Sequence, residues 1–361
     1  MTSAISKQHS NRIVYIDMLR LISCFMIICV HISALNWEDV SVSSSQWQTM
    51  NFFDCISVLG VPLFFMISGA VFLRNDYELS MKQLYLQKIL KLFLTYHIWL
   101  LFYNSLPFLS GELAVDFVTL KDELFLKTLL GKGIYHLWFL AELVILYIIS
   151  PILKAAFREK SICRYFLVIF AITGAFLPTT FAYNYPYRTI VESYYDRTSL
   201  VMLTGYIGYF VLGHYLHSHV TKPLRKKTLC GLAVTAILCM LIVILACSAD
   251  AITKDKASTI LNTPLMLPQF IACSCIYLIV KNCCQSISAR WTSHIISLSK
   301  YTMGIYLLHP FVIKLLAYFG ASTLLIHPII MIPVLTIIVF IICLVIVRVL
   351  YFIPILNKWL L

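Results

Sequence analysis

Residues 12–34 read RIVYIDMLRLISCFMIICVHISA and form an apolar run that is interrupted by Asp17, Arg20 and His31. A helix that crosses a bilayer needs about 20 mostly apolar residues, and this run is long enough. A charged side chain in mid-membrane costs about 2.5–3.5 kcal/mol on insertion scales, so each one needs a reason to be there. The run therefore predicts a membrane-spanning helix that carries the first candidates for a functional site.

Nine further apolar runs follow along the chain, each bounded by polar, proline or glycine residues. The 361 residues are 60% hydrophobic and only 12% charged, whereas a soluble domain carries about 25% charged residues. So few charges cannot cover a water-soluble globule, which excludes a cytosolic protein, a secreted disulfide scaffold and a disordered chain. The sequence predicts an all-α polytopic membrane protein, a bundle of about ten transmembrane helices. The predicted spans are 13–35, 52–73, 90–110, 134–157, 162–182, 199–220, 228–249, 259–281, 294–316 and 329–352.

The Lys and Arg residues set the predicted orientation, because cytoplasmic loops carry an excess of them. With the N-terminus taken as cytoplasmic, eighteen of them, including Lys7 and Lys358, fall on that side and seven on the other, so both termini are inside. The net charge of +12 is spread over short clusters between apolar runs, so we expect a lipid bilayer and no nucleic acid as a partner. A cleaved signal peptide is the alternative for the first run, but Asp17 and Arg20 are embedded in it.

The chain is expected to form a single transmembrane domain over residues 1–361, in which 1–12 are a short cytoplasmic tail. The longest connections, 111–133 and 183–198, are too short to fold alone. Segment 112–130 has apolar residues at near-helical spacing, which is typical of a helix that lies at the membrane interface. Any chemistry must therefore use groups in the helices and at their ends.

The 12 cysteines lie mostly in apolar runs, where a cysteine acts as a small hydrophobe. Their spacing indicates neither a disulfide framework nor a metal site. Cys283, beside Cys284, leaves palmitoylation or redox chemistry open as an alternative.

The first helix places its polar residues on one face. Asp17 and Arg20 are three positions apart and can pair. His31 lies eleven positions beyond Arg20, which is three turns plus about 20°, and about 16 Å further along the axis. One stripe thus carries an acid and a guanidinium near one end and an imidazole towards the other. The structural alternative is an Asp–Arg pair that fixes helix packing, together with a buried, hydrogen-bonded histidine.

Other polar residues also interrupt the apolar runs. Ser68 and Gly69 suit close helix packing, and Lys88 and Lys91, one turn apart, can bind a phosphate or simply mark the cytoplasmic side. Glu142 is harder to dismiss, since an unpaired carboxylate is costly in lipid.

Two histidines interrupt the fourth and ninth runs. His136 and Trp138 lie at the outer mouth of the fourth, where a Trp is usually an interface anchor. His309 precedes Pro310, which releases a backbone carbonyl and bends the helix. A hydrogen-bonded structural histidine is the alternative to a functional one at both positions.

Together these pieces resemble the acyltransferase-3 family of integral membrane enzymes. The resemblance begins with Arg12 to Arg20 (RIVYIDMLR) followed by His31, and continues with Pro62 to Gly69 (PLFFMISG), His136 to Leu140 (HLWFL) and Tyr306 to Pro310 (YLLHP). The motifs occur in the family's order and cover nearly all of the chain. The resemblance is to the stand-alone form, without the soluble domain that some members carry.

The resemblance implies transfer of an acyl group, commonly acetyl, from cytoplasmic acyl-CoA to a hydroxyl of a surface carbohydrate or lipid-linked sugar. His31 would transfer a proton or relay the acyl group, and Asp17 belongs to the same motif, so both are taken as catalytic. Donor binding is expected at Arg20, Arg74, Lys88 and Lys91. Family members often have Arg-x-x-Arg where this chain has Lys88-Ile89-Leu90-Lys91, and lysines lack the bidentate fork of arginine. Further pocket residues are expected to be Ser68, Gly69, His136, Trp138, Glu142, Tyr306 and His309.

The family resemblance also sets the expected partners and location. Acyl-CoA is a co-substrate, and no tightly bound cofactor or metal is expected. The location expected is a bacterial inner membrane, by analogy. A transporter or flippase is the alternative, because intramembrane charges can line a path. A second alternative is a non-catalytic membrane sensor or assembly partner. Its only support is that Lys88 and Lys91 stand where the family often has arginines.

Overall fold

A computed structural model describes residues 12–74, 76, 78–113, 115–133, 136–198 and 205–354. Helices are the only regular secondary structure in these ranges, and the predicted all-α membrane fold is confirmed. The helices are α1 (Val14–Ser33), α2 (Ser45–Ser57), α3 (Gly60–Phe72), α4 (Met81–Leu109), α5 (117–129), α6 (Trp138–Ala156), α7 (Lys160–Phe181), α8 (Arg188–Arg197), α9 (Ile207–Ser218), α10 (Lys226–Lys254), α11 (Leu267–Cys283), α12 (Ala289–Ser299), α13 (Thr302–Tyr318) and α14 (Pro328–Leu350).

Each of the ten predicted spans contains a helix. Eight helical stretches of the described residues are long and apolar enough to cross a membrane, with α2 and α3 counted as one stretch, and α13 is a shorter apolar helix. α9 has 12 residues, and residues 199–204 of its predicted span lie outside the described ranges. The predicted cytoplasmic tail also lies outside the described ranges, except for Arg12, and so does Lys358 near the other end. Lys7 is part of that tail, and the orientation of the chain stays a prediction.

Apart from the sixth, four predicted spans start seven or more residues away from the helix that the structure describes. The third begins at Met81 instead of residue 90, and the ninth is broken between α12, which ends at Ser299, and α13, which begins at Thr302.

The second span begins at Ser45 instead of residue 52, because the Ser44 hydroxyl accepts the backbone N–H of Trp47 and caps α2. The eighth begins at Leu267 instead of residue 259, so that Pro268 lies in the first turn of α11. A first-turn proline removes an N–H that would have had no helical partner anyway.

The two long connections are more ordered than their length suggested. Segment 183–198, predicted as a loop, contains α8, with an ion pair one turn apart between Arg188 and Glu192. Segment 112–130 contains α5, whose Asp116 carboxylate accepts the backbone N–H groups of Val118 and Thr119. The helix predicted there is present, and its position at an interface stays a prediction.

The first helix is the centre of the bundle. α1 packs against α2, α3, α11, α12, α13 and α14. Beside it, α3 crosses α9 at very short range, since a β-carbon at Gly69 would overlap the carbonyl oxygen of Phe210. Polar residues on α1 therefore face neighbouring helices, which is why they can be accommodated in a membrane.

Candidate active site

Asp17 and Arg20 form an ion pair at one end of the bundle. The Arg20 Nη1 group donates to Asp17 Oδ1 at 2.8 Å, and the Ser299 hydroxyl donates to the same oxygen at 2.8 Å. Arg12 lies 4.0 Å from Asp17 Oδ2. The Asp17 side chain is 1% exposed, whereas that of Arg20 is 32% exposed. The buried carboxylate thus holds a guanidinium that remains partly open.

Arg20 opens onto an inner cavity of about 170 Å³. We use this name for the space that runs between α1, α3, α6 and α13 from Arg20 to Tyr306. Its other walls are mostly apolar, with Phe64, Leu143 and Met303 among them. A mostly apolar space with a cation at one end suits a ligand that has an apolar arm and an anionic head.

Two further cavities adjoin the inner cavity at Arg20, and together we call them the basic cleft. One has a volume of about 200 Å³ and is lined by Arg12, Asp17, Arg20 and Arg74. The other, of about 300 Å³, is lined by Arg20, Lys88 and Lys91. The four predicted donor-binding residues therefore lie around one opening, although they come from three segments of the chain.

Lys88 reaches the basic cleft from an irregular stretch of helix. Leu84–Ile89 is a π-helical stretch within α4, and Lys91 lies one turn beyond Lys88. Wide π-turns change the direction of side chains and are frequent at functional sites. Arg74 is oriented by Asp76, whose carboxylate lies 3.1 Å from Arg74 Nε.

Three histidines meet further along the bundle, away from Arg20. The rings of His31 and His309 stack with centroids 5.2 Å apart and an angle of 21° between their planes. The ring of His136 meets that of His309 edge to face, at 5.5 Å. His309 is 0% exposed and His136 is 3% exposed, and His31 is half-buried. We call these residues the histidine cluster.

A proline sets the hydrogen bond of His309. Pro310 has no N–H, so the Tyr306 carbonyl loses the donor that the helix would otherwise supply. His309 Nδ1 lies 2.6 Å from that carbonyl oxygen, and because a carbonyl only accepts, Nδ1 must carry the hydrogen. Nε2 is buried and has no hydrogen-bond partner among the described residues. In the neutral ring, Nε2 therefore carries a lone pair that no donor among the described residues faces.

Two tyrosines enclose the histidine cluster. The Tyr306 hydroxyl donates to the backbone carbonyl of His136, and its ring lies 5.9 Å from that of His309. The Tyr103 hydroxyl donates to the Leu307 carbonyl at 2.7 Å, and its ring meets His136 at 5.1 Å. Since Tyr306 also lines the inner cavity, that cavity ends one aromatic ring away from the histidines.

A second large cavity lies on the other side of Tyr103. It has a volume of about 480 Å³ and is enclosed by the end of α4, α5 and the end of α13. We call it the distal cavity, because it lies at the opposite end of α4 from Lys88. The histidine cluster is thus separated from one cavity by Tyr306 and from the other by Tyr103.

Comparison with known families identifies the chain. A family model described as an acyltransferase domain matches residues 13–348, from just before α1 to the last turns of α14. The chain belongs to the acyltransferase-3 family. No curated protein and no solved structure matches it. It is therefore a multi-pass membrane protein with an acyltransferase domain.

The acyltransferase brings some of the predicted site residues together and separates others. His31, His136, Tyr306 and His309 share one cluster. Asp17 lies fourteen residues before His31, about 21 Å along the helix axis, and contacts Arg20 instead. A catalytic role for Asp17 remains a prediction, and its contacts show that it orients the guanidinium.

The remaining predicted pocket residues have different surroundings. Ser68 lines the inner cavity, whereas Gly69 allows α3 and α9 to touch. The Trp138 ring packs on Tyr206 at 5.0 Å and on Phe65 at 6.3 Å. Glu142, one turn beyond Trp138, is exposed on the surface of α6.

Sequence reasoning missed three residues of the site. Tyr103 closes the distal side of the histidine cluster, Tyr147 lines both the inner cavity and the basic cleft, and Ser299 holds Asp17. Tyrosine and serine are frequent in membrane helices, so their type alone does not distinguish them. Their spacing from the charged residues in the sequence carries no signal either, because the contacts join different helices.

Proposed function

We propose that the protein transfers an acyl group, most simply acetyl, from acyl-CoA to a hydroxyl group of a carbohydrate or lipid-linked sugar. The protein would lie in a bacterial inner membrane with both termini in the cytoplasm, and the acceptor would be part of a surface polysaccharide or its precursor. The observation that carries the proposal is the run of cavities from the basic cleft through Arg20 to Tyr306, beside the histidine cluster.

The basic cleft suits the charged part of acyl-CoA. Arg20, Lys88 and Lys91 line one cavity, and CoA brings several phosphates that need cations. An arginine can bind a phosphate through two parallel hydrogen bonds, and a lysine acts as a compact point charge. The Asp17 carboxylate would keep the guanidinium in place while the donor binds.

The inner cavity suits the other end of the donor. Its volume of about 170 Å³ and its mostly apolar walls leave room for a narrow chain and a small acyl group. The phosphates would stay at Arg20 while the thioester would approach Tyr306. His31 lies about 16 Å beyond Arg20 along α1, so the donor would reach the histidine cluster in an extended conformation.

The reaction itself needs one proton acceptor. The base removes the proton of the acceptor hydroxyl while its oxygen forms a bond to the thioester carbonyl carbon. The carbon–sulfur bond then breaks, the sulfur receives a proton, and free CoA and an ester are the products. Imidazole has an ordinary pKa of about 6.5 and suits this proton transfer at neutral pH.

We assign the proton transfer to His31, with relay of the acyl group on its ring as the other route. His31 is half-buried, and its ring stacks on that of His309 beside Tyr306, the residue at which the inner cavity ends. The stacked His309 is held by the Tyr306 carbonyl and would orient the ring of His31. Two protonated imidazole rings in a stack would repel each other, so only one of the two rings would carry a proton charge at a time. In this assignment His309 is a positioning residue.

The proposal is tested with the purified protein in nanodiscs, acetyl-CoA and release of free CoA as the readout. His31→Ala is expected to lower the rate by about 100-fold or more, the typical contribution of a general base. His294→Ala is the matched control, because His294 is exposed on α12. Full activity of folded His31→Ala would refute the catalytic assignment. If the wild type neither bound acetyl-CoA nor released CoA, acyl-CoA would be refuted as the donor, and a transporter or a sensor would be favoured.

A further inference from the structure

We propose that the distal cavity is the binding site for the acceptor and that it takes a polyhydroxylated ring, such as a terminal sugar residue. The inference rests on the function proposed above and adds where the acceptor binds and which side chains select it. The cavity volume of about 480 Å³ is within the range of about 300–1,000 Å³ that is usual for small-molecule sites.

The charges in the distal cavity favour a neutral ligand. Glu112 and Glu123 line it together with Lys127 and Lys314, so acidic and basic groups are equal in number. Glu123 and Lys127 form an ion pair with each other. The basic cleft, in contrast, has an excess of cations around Arg20. A polyphosphate donor is therefore suited to one end of the protein and an uncharged acceptor to the other.

The polar groups of the cavity match hydroxyls. A hydroxyl both donates and accepts a hydrogen bond, so it can pair with a carboxylate and with an ammonium group. Glu112 supplies an acceptor and Lys314 supplies donors, and both side chains are exposed at the cavity. Tyr103 and Phe311 add aromatic surface, against which the apolar face of a sugar ring can pack.

The wall of the cavity is held in place before any ligand binds. The Asn104 amide donates to the Thr128 hydroxyl and the Lys132 carbonyl, both at 3.1 Å. Gly133 lies so close to Asn104 that a β-carbon would overlap its side chain, and its φ of +129° favours glycine. The Tyr96 hydroxyl donates to the Gly131 carbonyl at 3.1 Å. Pre-organised walls reduce the entropic cost of binding.

The position of the cavity connects it to the chemistry. Tyr103 lines the cavity and also meets His136 edge to face at 5.1 Å. His136 in turn contacts His309. A hydroxyl group at the Tyr103 end of the cavity is therefore one aromatic ring from the histidine cluster, on the side opposite the inner cavity.

The test measures the donor and the acceptor separately. Detergent-purified protein receives radiolabelled acetyl-CoA and increasing amounts of a glycan and glycolipid extract from the source cells, treated with base to remove existing esters. CoA release without extract reports on the donor, and label in the extract reports on the acceptor. Glu112→Gln and Lys314→Met are compared with Asp122→Asn and Lys121→Met, which change exposed residues of α5 that do not line the cavity.

We expect Glu112→Gln and Lys314→Met each to raise the half-saturating amount of extract by about 10-fold, because the first removes the charge that strengthens a hydrogen bond and the second removes the donors altogether. CoA release without extract should stay at the wild-type rate, and both controls should behave like the wild type. Cavity variants that behave like their controls would overturn the acceptor site and leave the proposed function intact. If the wild-type protein released CoA but transferred no label to the extract, the proposal of a sugar acceptor would be overturned. No CoA release at all would instead refute the proposed function itself.

Discussion

The tautomer of His309 is set by Pro310, the next residue in the chain. Pro310 frees the Tyr306 carbonyl, and His309 Nδ1 takes up that acceptor. The remaining nitrogen, Nε2, is buried without a hydrogen-bond partner among the described residues. A two-residue motif, His-Pro within a helix, thus fixes one tautomer without any acidic side chain.

Pro310→Ala should weaken this arrangement. The new backbone N–H would compete for the Tyr306 carbonyl. Loss of a hydrogen bond that orients a metal-bound histidine costs about 10–100-fold in activity, and we expect a loss of similar size here. We expect kcat for CoA release to fall in that range with little change in the KM for acetyl-CoA. Pro333→Ala, the same change inside α14, is the matched control and should leave kcat unchanged. Equal kcat values for the two variants would argue against a role for the tautomer.

Asp17 is expected to act through Arg20. Asp17→Asn removes the charge that holds the guanidinium, so the KM for acetyl-CoA should rise by about 10-fold while kcat stays within about threefold. Asp122→Asn is the control, because Asp122 is exposed on α5 and lines neither the inner cavity nor the basic cleft. A large fall in kcat with an unchanged KM would instead support the catalytic role that the family motif predicts for Asp17.

At the scale of helices, the tightest packing lies between α3 and α9. A β-carbon at Gly69 would overlap the carbonyl oxygen of Phe210, and one at Gly213 would overlap the carbonyl oxygen of Met66. Each glycine therefore admits the backbone of the opposite helix. This contact positions α3, which carries Ser68 and Phe64 into the inner cavity.

Gly69→Ala should destabilise the protein. The helices would have to separate, and overpacking of this kind costs about 1–3 kcal/mol. Gly231→Ala is the matched control, since a β-carbon there meets nothing within 4 Å and alanine favours a helix by about 1 kcal/mol over glycine. The midpoint of thermal unfolding in detergent should fall for the first variant and stay or rise for the second. If the two variants changed the midpoint by the same amount, the description of a close contact between α3 and α9 would be refuted.

At the scale of the whole molecule, two cavities lie on opposite sides of the histidine cluster and open at different ends of the bundle. The basic cleft and the distal cavity lie at opposite ends of α4, and the histidine cluster lies between Tyr306 and Tyr103. A donor and an acceptor that enter from different sides of a membrane can meet at such a cluster. The buried aromatic contacts on both sides would also restrict the passage of water to the thioester of the proposed donor.

Vesicles of known orientation test this arrangement. Acetyl-CoA does not cross a bilayer, so inverted vesicles should release CoA, and right-side-out vesicles should release several-fold less until detergent is added. Accessibility of an engineered outer tag provides the control for orientation. Equal release from both kinds of intact vesicle would contradict a donor site that opens only towards the cytoplasm.

The sequence by itself determined the membrane bundle and the charged and histidine residues that interrupt its helices. These features are local, because apolar runs, a charge within such a run and a proline after a histidine are visible within a few residues. The polar stripe of α1 and the free carbonyl beside His309 were predicted in this way. The starts of α2 and α11 were not, since side-chain capping and a first-turn proline moved them.

Only the tertiary structure decided which helices meet. The stack of His31 on His309, the contact of His136 with both tyrosines and the convergence of three cavities on Arg20 all join distant segments. In a soluble protein, the apolar face of a helix shows which side is buried. In a membrane, the lipid-facing and helix-facing sides are equally apolar, so packing between small residues and polar contacts selects the neighbours.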